Sequence, residues 1–183
     1  MSSINSQCLI VFSVLGTLAT APVQAQEIFT ATAVQGDDIT LHTVPVLFVI
    51  DRYMTDAEHA AAVAALQEGP EALHTLLASA PDIGRITVAD KTLPLKYVYR
   101  RPQSPSRVVL LANEPLAFLD PGAGQDKSTS GFEFTLMKVD FSLPGFGSGE
   151  INPAVNLAVN SNGQIETREY GAVVVRLSDV RKK

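Results

Sequence analysis

Cysteine is all but absent from this chain. Its one copy, Cys8, lies within the first 25 residues, a segment that reads as a removable leader. The mature chain is therefore expected to hold no disulfide, no thiol nucleophile and no cysteine-based metal site. Membrane-length apolar runs are missing too. Cys8 to Ala21 is fourteen residues of apolar or small character, against the roughly 20 needed to cross a bilayer. Clustered positive charge is also lacking. The formal net charge is -5, and the Arg100-Arg101 pair and the terminal Arg181-Lys182-Lys183 are too short and too separated to follow a phosphate backbone, which excludes nucleic acid as a partner. Nor is there a Walker loop, a dinucleotide-binding Gly-x-Gly-x-x-Gly after a strand, a His-Glu-x-x-His or a Gly-x-Ser-x-Gly. No cofactor is implied.

The apolar run is followed by Pro22-Val23-Gln24-Ala25, whose small residues at Val23 and Ala25 suit signal-peptidase cleavage before Gln26. The expected organisation is a signal peptide over residues 1–25 and a single domain over 26–183, with no membrane span once the leader is removed. Cys8 opens the run instead of closing it, against a lipid-modified anchor. The mature part contains no Asn-x-Ser/Thr acceptor. Together with the scarcity of cysteine, this fits a bacterial periplasmic or secreted protein.

Strand-rich segments dominate that domain. Ile28 to Val34 and Ile39 to Ile50 flank Gln35-Gly36-Asp37-Asp38, a turn composition, and predict a hairpin. Pro45 cannot donate to a ladder, so it predicts a sheet edge, a bulge or two shorter strands. Thr55-Asp56-Ala57-Glu58 is a capping box that opens a helix to about Gln67. Gly69-Pro70 breaks it and starts a second helix with Leu73, Leu76, Leu77 and Ala80 at helical spacing. Val63 and Leu66 mark the face that packs on a sheet. Further strands are expected at Arg85 to Val88, Leu93 to Arg100, Arg107 to Ala112, Phe132 to Phe141, Ile151 to Val159, Gln164 to Tyr170 and Ala172 to Leu177. Asp120 to Gly131 and Ser142 to Gly149, each with three glycines and one proline, read as loops, and Asn162-Gly163 as a hairpin turn. The fold class is α+β, a mainly antiparallel sheet of about seven or eight strands with an inserted αα-hairpin.

Candidate chemistry is sparse. A zinc site needs at least three converging ligands, and His42, His59 and His74 are the only imidazoles, with His59 placed on the Val63 and Leu66 face as a hydrogen-bonded boundary residue. No metal site is expected. Asp51-Arg52-Tyr53 lies at a strand-to-helix junction, where Arg52 either grips an anionic ligand or pairs locally to anchor the helices. Tyr97, Tyr99 and Arg101 share one face of a strand, with Val98 and Arg100 on the other. Such a stripe suits stacking on a sugar or aromatic ligand, or simply packing. Glu150 follows the glycine-rich loop. Arg52, Tyr97, Tyr99, Arg101 and Glu150 are the ligand-binding candidates, and no residue is assigned a catalytic role. The expected function is non-catalytic binding of a small molecule or an envelope protein. Two alternatives stand beside it. One is a hydrolase of an envelope polymer with Glu150 and either Glu166 or Asp51 as acid and base, and the other a structural or inhibitor-like module. Oligomeric state is not legible.

The apolar strand into Asp51-Arg52-Tyr53, the Glu58 helix with its Leu-rich successor, Gly84-Arg85-Ile86, Tyr97 to Arg101, Phe132-Glu133-Phe134-Thr135-Leu136, Gly149-Glu150 and Val175-Arg176-Leu177-Ser178-Asp179-Val180 together resemble a group of small exported bacterial proteins of unknown function. The resemblance implies export and a small mixed fold, and it transfers no catalytic residue.

Overall fold

The structure is a computed structural model describing residues 25–36, 41–102, 104–116, 132–171 and 173–183. The expected turn at Asp37-Asp38, the leader up to Gln24 and the whole loop from Asp120 to Gly131 lie outside the described residues. Among the described residues, ten strands and two helices follow in the order β1 (Glu27–Gly36), β2 (Leu41–Ile50), α1 (Asp56–Glu68), α2 (Pro70–Ser79), β3 (Gly84–Val88), β4 (Lys91–Leu95), β5 (Tyr97–Arg101), β6 (Ser104–Ala112), β7 (Phe134–Leu143), β8 (Phe146–Val159), β9 (Ile165–Tyr170) and β10 (Val175–Lys182). All ladders are antiparallel. The α+β class with an αα-hairpin after the second strand is as expected, but the sheet is larger than the seven or eight strands anticipated.

Neighbouring strands run β4-β3-β2-β1-β10-β8-β7-β6-β5, with β9 added beside β8. The two ends of that path are consecutive in sequence, separated only by Lys96. The expected single strand from Leu93 to Arg100 is thus one bent run. Its first half pairs with β3 and its second half with β6, and the Lys96 amide donates to Leu111 O at 3.0 Å across the junction. Beyond it, Met54 N donates to Val98 O at 2.8 Å, tying the segment after β2 to the free side of β5. The sheet curls into a near-closed barrel.

One hydrophobic cluster contains a buried residue from every strand of the path, among them Phe29, Phe48, Ile86, Leu93, Val98, Leu110, Met137, Ile151 and Leu177. Only a sheet folded back on itself brings one face of so many strands together. The opposite face of β5 to β9 carries a second cluster, in which Tyr97, Leu111, Leu136, Val155 and Ile165 meet Ala62, Leu66, Leu73 and Leu77 of the helices. Period-2 alternation therefore feeds both layers from the same strands. Leu76, expected on the packed stripe, is 36% exposed, whereas Ala62 is buried.

The helix caps are as the sequence implies. Thr55 Oγ1 accepts from Glu58 N at 3.2 Å and Glu58 Oε2 accepts from Thr55 N at 2.8 Å. Pro45 stands in an unbroken ten-residue strand opposite Thr32. It is tolerated because the β3 ladder reaches only Val46, and the Pro45 carbonyl accepts from Ala89 N just beyond it at 3.2 Å.

Ser142 to Gly149, expected as a loop, is a hairpin: β7 runs to Leu143, Pro144-Gly145 turns with Gly145 at φ 78°, and β8 begins at Phe146. Gly147 and Gly149 belong to the strand, where an added Cβ would collide with the carbonyls of Asp140 and Lys138. Glycine here reports close backbone approach, which composition cannot tell from a turn.

The same test gives a prediction for Gly84, whose added Cβ would run into the Val49 carbonyl. Gly84→Ala is expected to destabilise the fold by about 2 kcal/mol or more, as overpacking against immovable backbone does. Urea unfolding followed by circular dichroism measures the change, and an unaltered midpoint would contradict the β2–β3 register.

Candidate functional site

Strand β5 supplies polar side chains to both surfaces of the barrel wall. On the outside, Tyr97, Tyr99 and Arg101 face α1, as their alternation requires. Tyr97 is buried, and its hydroxyl lies 2.9 Å from His59 Nδ1. The His59 ring stacks on Tyr99 with centroids 3.9 Å apart and planes 12° from parallel. Tyr99 OH donates to Asp56 Oδ1 at 3.0 Å. The aromatic stripe is thus occupied in holding the first turns of α1 against the barrel. Arg101 lies alongside, its guanidinium against the side-chain amide of Gln164. These groups, with Glu166 and Lys138, line an outer groove of about 190 Å³.

Burial lowers the His59 pKa below its usual 6.5, and the Arg101 charge adds to this against the opposing pull of Asp56. The Tyr97 phenol is pushed upward, chiefly by burial. Neutral histidine facing a neutral phenol is the stable arrangement at neutral pH.

The other candidates are placed elsewhere. Arg52 forms a bidentate pair with Glu58, Nη2 to Oε1 at 2.8 Å and Nη1 to Oε2 at 3.0 Å. Hydrogen bonds from Arg52 and the Thr55 backbone hold the Glu58 carboxyl down at about 2 despite some burial. Arg52 thereby locks the capping box of α1. Glu150 accepts from Lys138 at 3.2 Å, the residue opposite it on β7. It stands behind one wall of the outer groove without lining it. Glu166 does line that groove and accepts from Asn160 at 3.0 Å, while Asp51 is exposed and accepts from Gln26. The three carboxylates proposed for acid and base work do not share a cavity.

The larger cavity opens on the inner face, at the end of the barrel where β1 and β6 begin and β2, β5 and β10 end. It measures about 680 Å³. Phe29, Phe141, Leu143 and Phe146 give it an apolar wall, and Phe29 rests against Phe141 with centroids 5.3 Å apart. Leu143 and Phe146 are 64% and 52% exposed at its rim.

Glu27, Arg100 and Lys182 form the polar side of the cavity. Lys182 Nζ donates to Glu27 Oε1 at 2.5 Å, and Arg100 Nη2 approaches Glu27 Oε2 at 3.5 Å. Tyr53 OH donates to the same Glu27 oxygen and accepts from Arg100, whose guanidinium carbon lies 4.4 Å from the Tyr53 ring centroid. Burial raises the Glu27 pKa, but hydrogen bonds from Lys182 and Tyr53 and the two cationic charges outweigh it, leaving the carboxyl below its usual 4.5. Tyr53 moves up, through burial and then through donating to Glu27.

Sequence reasoning missed this cluster because its members come from β1, the β2–α1 link, β5 and the last strand. The available signal was Arg100, on the strand face opposite the tyrosines. No protein-family model, curated protein or solved structure matches the chain.

Two outcomes follow for titration. His59 is expected to titrate with a midpoint below 6.5 in the folded protein, read from its imidazole NMR shifts, and Tyr97→Phe should cost about 1 kcal/mol of stability through the lost hydrogen bond. Glu27 and Glu58 both bind protons less tightly folded than unfolded. Their contribution is complete above pH 4.5 and is lost as pH falls through the folded values, about 2 for Glu58. The acid limb of a stability–pH curve should therefore flatten in Glu58→Gln, with stability at neutral pH lower than in the parent.

Proposed function

We propose that the protein is an exported, non-catalytic binding protein of the periplasm or extracellular space, and that its ligand is a small molecule held in the barrel-mouth cavity. One observation carries this reading. A volume of about 680 Å³ falls within the roughly 300–1,000 Å³ of small-molecule sites, and an apolar lining with a few convergent polar groups is the usual composition of such sites.

Export is supported by the leader, and it would expose the chain to dilute ligands in a compartment where a compact carrier is useful. The outer groove is the weaker candidate. It is smaller, and its aromatic groups already satisfy one another. The resemblance to small exported bacterial proteins agrees with this reading of location and supplies no ligand.

Titration of the purified mature chain with a neutral naphthylamine fluorophore tests the cavity. Saturable binding of one probe per chain is expected. Phe146→Ser, at a half-exposed position, should weaken it about tenfold, equivalent to about 1.4 kcal/mol of lost apolar contact. Absence of saturable binding, or indifference to Phe146→Ser, would overturn the assignment.

A further inference from the structure

The polar side of the cavity carries an excess of positive side chains. Arg100, Lys182 and Lys183 line it together with one carboxylate, Glu27. In a chain of net charge -5, this local surplus runs against the overall balance. Glu27 does not exhaust its partners. A guanidinium has five donors and an ammonium three, yet the Arg100 Nη2 and Lys182 Nζ groups share this single acid. Arg100 Nε is buried and makes no hydrogen bond with the protein, and Lys183 forms no ion pair among the described residues. A buried donor without an acceptor costs stability.

The aromatic wall and the cations occupy one cavity, so a single molecule can engage both. A cationic ligand would meet three like charges. A neutral one would leave the surplus unanswered. Glu27 itself demonstrates that a carboxylate is accommodated between Lys182 and Arg100.

Resting on the cavity reading above, we infer that the ligand is an amphipathic monocarboxylate, an apolar chain or ring system lying against Phe29, Phe141 and Phe146 with its acid group accepting from Arg100 and Lys182. The contribution of the head group is modest, because the side chains of Arg100 and Lys182 are 35% and 43% exposed, where water and salt screen a charge pair.

Displacement of the naphthylamine probe by a saturated carboxylic acid and by the alcohol of the same chain length, at neutral pH and low salt, tests this in the mature protein. The acid should displace the probe about tenfold more effectively than the alcohol. Lys182→Gln, at a partly exposed position, should erase most of that preference, weakening displacement by the acid far more than displacement by the alcohol. Arg100→Gln, checked for folding by circular dichroism, should do the same. Equal displacement by acid and alcohol would overturn the inference and leave the cavity reading standing. An acid preference that survives both substitutions would overturn the assignment to these cations. If the probe itself does not bind, the cavity reading fails first and the inference with it.

Discussion

Closure of the sheet through the bent run of β4 and β5 is the constraint on which the molecule depends. An open antiparallel sheet of this size would expose two long edges and one greasy face. Here the run from Lys91 to Arg101 serves as the last strand at one end of the path and the first at the other. The apolar residues of nine strands can then share one interior. The same geometry decides where chemistry is possible. Deeper in the barrel Phe48, Leu110 and Val139 belong to the buried core, and the cavity lies toward the end.

That end is shaped by irregularity in the strands. On β10, Val175 and Leu177 point inward, and strict alternation would send Asp179 and Arg181 in after them. A bulge intervenes between Leu177 and Val180, with Asp179 at φ 51°, a backbone conformation that aspartate tolerates better than most residues. Alternation resumes with Val180 in the core and Lys182 in the cavity. One extra residue thus exchanges an aspartate and an arginine for a valine and a lysine at the mouth, and gives Glu27 its nearest cation.

What the sequence conveys well is local. The capping box at Thr55, the break at Gly69-Pro70, and the tyrosine face of β5 opposite Val98 and Arg100 are all carried by spacing within a few residues, and the structure places them as spacing demands. What it conveys poorly depends on partners far away in the chain. The division of Leu93 to Arg100 between two ladders is set by β3 and β6. Gly147 and Gly149 mark backbone crowding against β7, and from composition alone they read as a loop. Tyr97, Tyr99 and Arg101 are brought together as alternation requires; Arg52 takes the local pairing its junction allowed, with Glu58 six residues on, whereas Glu150 is drawn off by Lys138, a partner set by the β7–β8 register. The Glu27, Tyr53, Arg100 and Lys182 cluster spans 155 residues between its ends, beyond any pattern read from neighbours.

The cluster also explains why the cavity is not filled by the protein itself. Glu27 is half-buried among Tyr53, Arg100 and Lys182, and each charged group is stabilised only while the others remain. Replacing any one by an apolar side chain large enough to plug the mouth would leave an unpaired charge in a partly desolvated site, at greater cost than the apolar contacts would return. A polar lock of this kind keeps its own neighbourhood hydrated. Beside it, Leu143 and Phe146 at the rim remain largely exposed among the described residues. An amphipathic acid answers both conditions at once, because its tail removes apolar surface from water while its head adds an acceptor where donors are in surplus.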